Sequence, residues 1–85
     1  MFYMYILKSL KDNELYIGST NDLKKRLKEH NSNLNQSTKA RSPFKLIYYE
    51  AYINEEDARY REHNLKLRAR ALKQLLKRIE KSLAS

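Results

Sequence analysis

Eighty-five residues make one domain, residues 1–85, and a chain this short hides only roughly 60–65% of the surface its unfolded form exposes. It has no cysteine, which excludes a disulfide framework and a thiolate metal site, and 41% apolar residues with seven tyrosines must supply the core by packing. Eighteen Lys and Arg against ten Asp and Glu leave a formal charge of +8, a balance that attracts polyanions and makes nucleic acid the expected partner.

The first apolar run, Phe2 to Leu7, is roughly a third of the length a membrane helix needs, and it lacks a basic n-region and a small-residue cleavage site. A cytoplasmic protein without a membrane partner is therefore expected, with a monomer as the favoured state. The run is rich in aromatic and branched residues and reads as a strand. Asp12-Asn13 signals a turn, and Leu15 to Gly18 reads as the second strand of an antiparallel hairpin. Thr20 or Asn21 is a candidate cap for a helix through Asp22 to His30, with Leu23 and Leu27 on its apolar side, ended by the Asn-rich stretch from Asn31 to Asn35. A polar, basic loop from Gln36 to Pro43 follows.

Phe44 to Tyr52 is apolar on both alternating faces and reads as a central, doubly covered strand. Asn54 caps the next helix, with Glu55, Glu56 and Asp57 in the first turn, where the helix dipole favours acids. From Ala58 the helical pattern runs almost to the C-terminus. Compactness calls for a break near Leu67 to Arg70, although no Gly or Pro marks one. The order β-β-α-β-α-α predicts an α/β (α+β) sandwich: a small, largely antiparallel three-stranded sheet flanked by helices.

Certain residues fit poorly with a purely structural role. Steps of four and three along the C-terminal region trace Ala58, Glu62, Leu65, Ala69, Leu72, Leu76, Ile79 and Leu83, apolar throughout except for Glu62. A carboxylate on such a stripe must be paired, protonated or bound to a metal; as a structural residue it would need a salt bridge, for which Arg26 is a candidate. Alternation gives the hairpin an aliphatic face of Met4, Ile6, Leu15 and Ile17, and an opposite face of Tyr5, Tyr16 and Gly18. Gly18 is the only glycine in the chain, and its missing side chain leaves room for a close approach.

Arg26 and His30 stand four apart on the first helix and project side by side. Arginine can bridge phosphate oxygens, and histidine titrates near neutrality. Lys24, Lys25 and Lys28 form a solvated basic face, of which Lys24 and Lys25 are candidate phosphate contacts. Thr38, Lys39 and Arg41, in a loop of hydroxyls and cations, are candidates for gripping a phosphate backbone. His63 points about 100° away from Glu62 and is incidental, and two histidines without further ligands make structural zinc an unsuitable reading.

Taken in order, these residues resemble the GIY-YIG nuclease superfamily, from Tyr3 to about Leu67. Tyr16-Ile17-Gly18 matches the second half of the name motif, and Met4-Tyr5-Ile6 matches the first, with methionine in place of glycine. Arg26 falls on the family's helix arginine, His30 on the position one turn later, and Glu62, within Arg61-Glu62-His63-Asn64-Leu65, on its metal-binding glutamate. The length suggests the minimal stand-alone branch, with no appended recognition domain.

The resemblance implies a metal-dependent endonuclease. One divalent ion, Mg²⁺ or Mn²⁺, would sit on Glu62, with Tyr5 or Tyr16 acting on the attacking water, Arg26 on the scissile phosphate, and His30 accepting, relaying or orienting the tyrosine's proton. It also places Glu62 against the phenol-bearing side of the sheet, with DNA as the expected substrate polymer. A non-catalytic nucleic-acid-binding module on the same fold is the alternative. A third reading is an interaction module that docks a partner through the amphipathic stretch Leu72 to Leu83.

Overall fold

The first strand is the middle of the sheet. The computed structural model describes residues 1–32 and 39–85, and in it β1 (Phe2–Ser9), β2 (Leu15–Thr20) and β3 (Phe44–Tyr52) form an antiparallel sheet in the order β2-β1-β3. The expected central position of the third strand is thus corrected: β3 is an edge. The residues show why. Met4, Tyr5, Ile6 and Leu7 are all buried on β1, whereas Tyr49 is 51% exposed on β3 and Ala51 also faces solvent. Only a strand buried on both faces and paired on both edges can carry so continuous an apolar run.

The hairpin turn is tied by Ser9, fully buried, whose hydroxyl accepts from the amides of Lys11 and Asp12 and donates to the Arg41 carbonyl at 2.6 Å. Asn13 adopts φ 62, the left-handed conformation that Asn tolerates best among residues with a side chain.

Helix α1 (Leu23–Asn31) starts from Asp22, whose carboxylate accepts from the Lys25 amide at 3.0 Å. The expected caps are corrected here. Thr20 still belongs to β2, and its hydroxyl accepts from the Asp22 amide instead. Helix α2 (Glu55–Leu67) is capped as predicted by Asn54, which accepts from the Glu56 amide at 2.8 Å.

Arg68, extended at φ −114 and ψ 99, separates α2 from α3 (Ala69–Arg78), and α4 (Glu80–Ala84) follows Ile79. The break at Arg68 falls inside the expected window, and a second one at Ile79 adds a short fourth helix to the three predicted. The first break also resets the helical phase, so the count from Ala58 loses its register: Ala69 is exposed, and Leu75 rather than Leu76 is buried.

Both sheet faces are covered. Leu65 of α2 and Leu75 of α3 pack on Met4, Ile6 and Ile17, while Leu23 and Leu27 of α1 pack on the face of Tyr5, Leu7 and Phe44. A polar clamp fixes α2 to β3. The Arg61 guanidinium donates to both Glu50 oxygens at 2.9 and 3.2 Å, and that carboxylate also accepts from the hydroxyls of Tyr48 and Tyr52. Such a two-pronged pair sets direction as well as distance, so the rotation of α2 about its axis is fixed one residue before Glu62. Among the described residues no helix is long and apolar enough to cross a membrane.

Candidate active site

Tyr5 is 2% exposed, and its phenol oxygen carries the centre of the α1-side cluster. It lies 3.0 Å from His30 Nε2 and accepts from Arg26 Nε at 3.4 Å. Burial pushes the Tyr5 hydroxyl up to about 12, outweighing the opposing hydrogen bond from Arg26. Burial, together with the nearby Arg26 charge, moves His30 below the ordinary histidine range, against a weaker pull from Glu29. Beside a neutral imidazole the phenol keeps its proton; the imidazole tautomer sets which of the two donates, and a phenol lone pair accepts from Arg26. Tyr16 is half-buried and stacks its ring edge-to-face with His30 at 4.9 Å between centroids.

The first helix brings Arg26 and His30 to the tyrosine face of the sheet. Glu62 is placed differently from expectation. Its helix covers the opposite face of the sheet, and its carboxylate accepts from the hydroxyl of Ser19, which is paired with Met4 and shares the aliphatic face. The two halves of the site meet around the outer edge of β2, the strand that separates them.

The salt-bridge partner of Glu62 is Lys66, at 2.5 Å, and Arg26 pairs with Glu29 at 3.1 Å. Burial alone would raise the Glu62 carboxyl, but the Lys66 and Ser19 hydrogen bonds outweigh it and hold the group below the ordinary range. Lys66 also stands 6.0 Å over the Tyr16 ring, so one ammonium group faces both Glu62 and Tyr16.

A polar groove of about 360 Å³ opens across the end of β2, lined by Ser19, Thr20, Lys25, Arg26, Glu29 and Arg59 among others. Ser19 joins it to Glu62, and Arg26 joins it to Tyr5. Lys24 and Lys25 are exposed, and only Lys25 of the two lines the groove. The Arg41 guanidinium is engaged by Asp12 at 3.3 Å, by the Leu15 carbonyl at 3.2 Å and by the Phe44 ring, a set of contacts that ties down the hairpin. Thr38 lies outside the described residues, and Lys39 opens a short 3-10 turn, Lys39–Arg41.

Sequence reasoning missed Ser19, Arg59 and Lys66. The Lys66 pairing was visible as an i,i+4 spacing from Glu62; Ser19 becomes a partner only once the sheet register is known.

Among the described residues no three His, Asp or Glu side chains gather as a metal cage. A single half-buried carboxylate beside a hydroxyl that lines a polar groove suits an ion that keeps most of its waters, as Mg²⁺ does, in the place Lys66 takes on it. The residues present fit such an ion, which Glu62 would hold.

A three-stranded antiparallel sheet with a paired-tyrosine hairpin, a helix arginine and a helix glutamate defines a recognisable class. The family model of the GIY-YIG catalytic domain matches residues 1–77, and the chain belongs to the GIY-YIG family, whose members are generally nucleases. The match runs ten residues past Leu67 and so takes in most of α3. The chain is similar to the UPF0213 protein of Clostridium perfringens, 46% identical over 67 residues that cover 78% of this chain and 71% of the relative. The UPF0213 protein of Haloquadratum walsbyi is 36% identical over 75 residues, covering 87% and 83%. The solution NMR structure of a UPF0213 protein from Bacillus halodurans is 36% identical, with a TM-score of 0.55 over 91% of this chain and 84% of that one.

Proposed function

We propose that this protein is a metal-dependent endonuclease that hydrolyses nucleic-acid phosphodiesters, with one Mg²⁺ or Mn²⁺ held by Glu62 and DNA as the substrate polymer. The observation that carries the reading is the place of Lys66: its ammonium rests on the Glu62 carboxylate and faces the Tyr16 ring. A cation on that carboxylate therefore stands beside a tyrosine, and Ser19, which donates to the same carboxylate, lines the groove that holds Arg26. When bound, the divalent ion supplies charge neutralisation at the phosphate and acidifies water.

The chain's own residues do the rest. Arg26 and Lys25 bind phosphate oxygens in the groove, and Arg26 counters the charge that builds up on them during attack. Tyr5, protonated and hydrogen-bonded to His30, holds Arg26 by accepting from its Nε. Tyr16, the less buried phenol, orients the attacking water by a hydrogen bond, and the proton that this water gives up passes to solvent. The water oxygen bonds to phosphorus as the opposite P–O bond breaks, and the departing oxygen collects a proton from solvent. Glu62, kept ionised by its surroundings, is ready to bind a cation across the neutral range.

Purified protein incubated with plasmid and with single-stranded DNA, with and without Mg²⁺ or Mn²⁺, tests this directly. Metal-dependent cleavage should fall by about 10²-fold or more in Glu62→Gln. Unchanged cleavage in that variant rejects the metal role. Binding without cleavage in either metal leaves the non-catalytic binder as the reading.

A further inference from the structure

One part of the tyrosine face has no role in the chemistry above. Tyr3 and Tyr49 pack edge-to-face at 5.8 Å between centroids, with planes at 71°. Tyr49 stands directly opposite Tyr5 in the β1–β3 ladder, and Tyr3, two residues before Tyr5, projects from the same face. Across the other ladder Tyr3 pairs with Thr20, which lines the groove beside Arg26. Across β3 it pairs with Ala51, whose small side chain raises no wall. Tyr3 and Tyr49 thus lie on the same face of the sheet as the groove, with Tyr3 next to the groove-lining Thr20.

Helix α1 covers the half of this face that holds Leu7 and Phe44, and it leaves Tyr49 51% exposed. Core packing does not require an aromatic ring with half its surface in water. Two rings held against each other but not stacked flat leave ring surface free for a third, and every nucleobase offers a matching π-face.

Resting on the nuclease reading, we propose that Tyr3 and Tyr49 form a stacking platform for an unpaired nucleobase adjoining the phosphate bound at Arg26, so that the substrates are nucleic acids with a single-stranded or splayed segment. A base within a continuous duplex has both faces covered by its neighbours and cannot reach such a platform unless it unstacks. The +8 charge supplies the attraction to the backbone, and the platform supplies the choice of strand form.

The test measures binding apart from cleavage. In EDTA, labelled single-stranded DNA, single-stranded RNA and duplex DNA of one sequence are titrated with wild type, Tyr49→Ala, Tyr3→Ala and Tyr49→Phe. Single-strand affinity should fall roughly 5- to 150-fold in each alanine variant, be retained in Tyr49→Phe, and duplex affinity should hold. The chain has no tryptophan, so Tyr49→Trp introduces a lone indole whose emission single strands should quench and duplex should not. Unchanged single-strand affinity in Tyr49→Ala, an equal loss on duplex, or an unquenched indole overturns the proposal. If Tyr49-dependent binding persists but no oligonucleotide is cut with Mg²⁺ or Mn²⁺, the platform stands and the nuclease reading falls.

Discussion

Gly18 and Tyr5 face each other across the β1–β2 ladder so closely that a β-carbon on Gly18 would lie 2.5 Å from the phenol oxygen. The ring cannot swing aside freely, because His30 and Arg26 hold its hydroxyl and α1 lies over it. Gly18→Ala is therefore expected to tilt the ring and break both hydrogen bonds. Overpacking of this kind costs about 1–3 kcal/mol. Urea unfolding should show that loss, together with a fall in single-turnover cleavage that lowered temperature does not restore. A variant with wild-type stability and activity would mean that the phenol has more freedom than this packing implies.

Lys66 competes with any cation for Glu62. Its side chain is 45% exposed, so the ion pair is worth no more than about 1 kcal/mol after solvent screening. Lys66→Met should tighten Mn²⁺ binding by about two- to fivefold in calorimetry, and Glu62→Gln should abolish it in either background. Equal Mn²⁺ affinity with and without the lysine would show that the ion does not use the Lys66 position.

His30 predicts a pH dependence of stability. Its folded value lies below the ordinary 6.5, because it is buried and near Arg26. The unfolded chain thus takes up the proton at higher pH than the folded one, and stability that is complete above about pH 6.5 is lost as pH falls through the folded value. Urea midpoints should decline as pH falls below about 6.5, before the carboxylates of Glu50, Glu62 and Asp12, all held below their ordinary values, begin to titrate. An NMR titration of the His30 ring gives the folded value directly. A midpoint at 6.5 would remove the dependence, and one above it would reverse the sign.

Arg61 acts through Glu50. Arg61→Ala leaves a half-buried carboxylate with only its two phenol partners and should cost about 1–3 kcal/mol, while Arg61→Lys, unable to bind both oxygens in one plane, should recover only part of it. Mn²⁺ affinity at Glu62 should weaken in both variants under conditions where each is fully folded. Intact metal affinity in folded Arg61→Ala would reduce the clamp to a purely stabilising contact.

Much of this was legible in the residues. Alternation placed Tyr5, Tyr16 and Gly18 on one face of the hairpin and Met4, Ile6 and Ile17 on the other, and both faces are as the register sets them. Asn54 followed by three acids marked the start of α2. Which strand takes the middle was not legible, because β1 and β3 are both apolar on two faces and only long-range pairing decides between them. The turn at Arg68 has no Gly or Pro to announce it; tertiary packing imposes it. Tyr48, Glu50 and Tyr52 alternate onto one face, but their meaning depends on Arg61 arriving from another element. The side of the sheet taken by Glu62 was misjudged for the same reason: the stripe shows that the acid points inward, not toward which layer.

The division of Tyr5 and Glu62 between the two layers has a mechanical consequence. Arg26 hangs from Tyr5 on β1, while Glu62 hangs from Ser19 on β2, a plank nailed along one side only. Any loosening of that plank changes the gap between arginine and carboxylate, which is therefore governed by how firmly one six-residue ribbon stays laid against its neighbour.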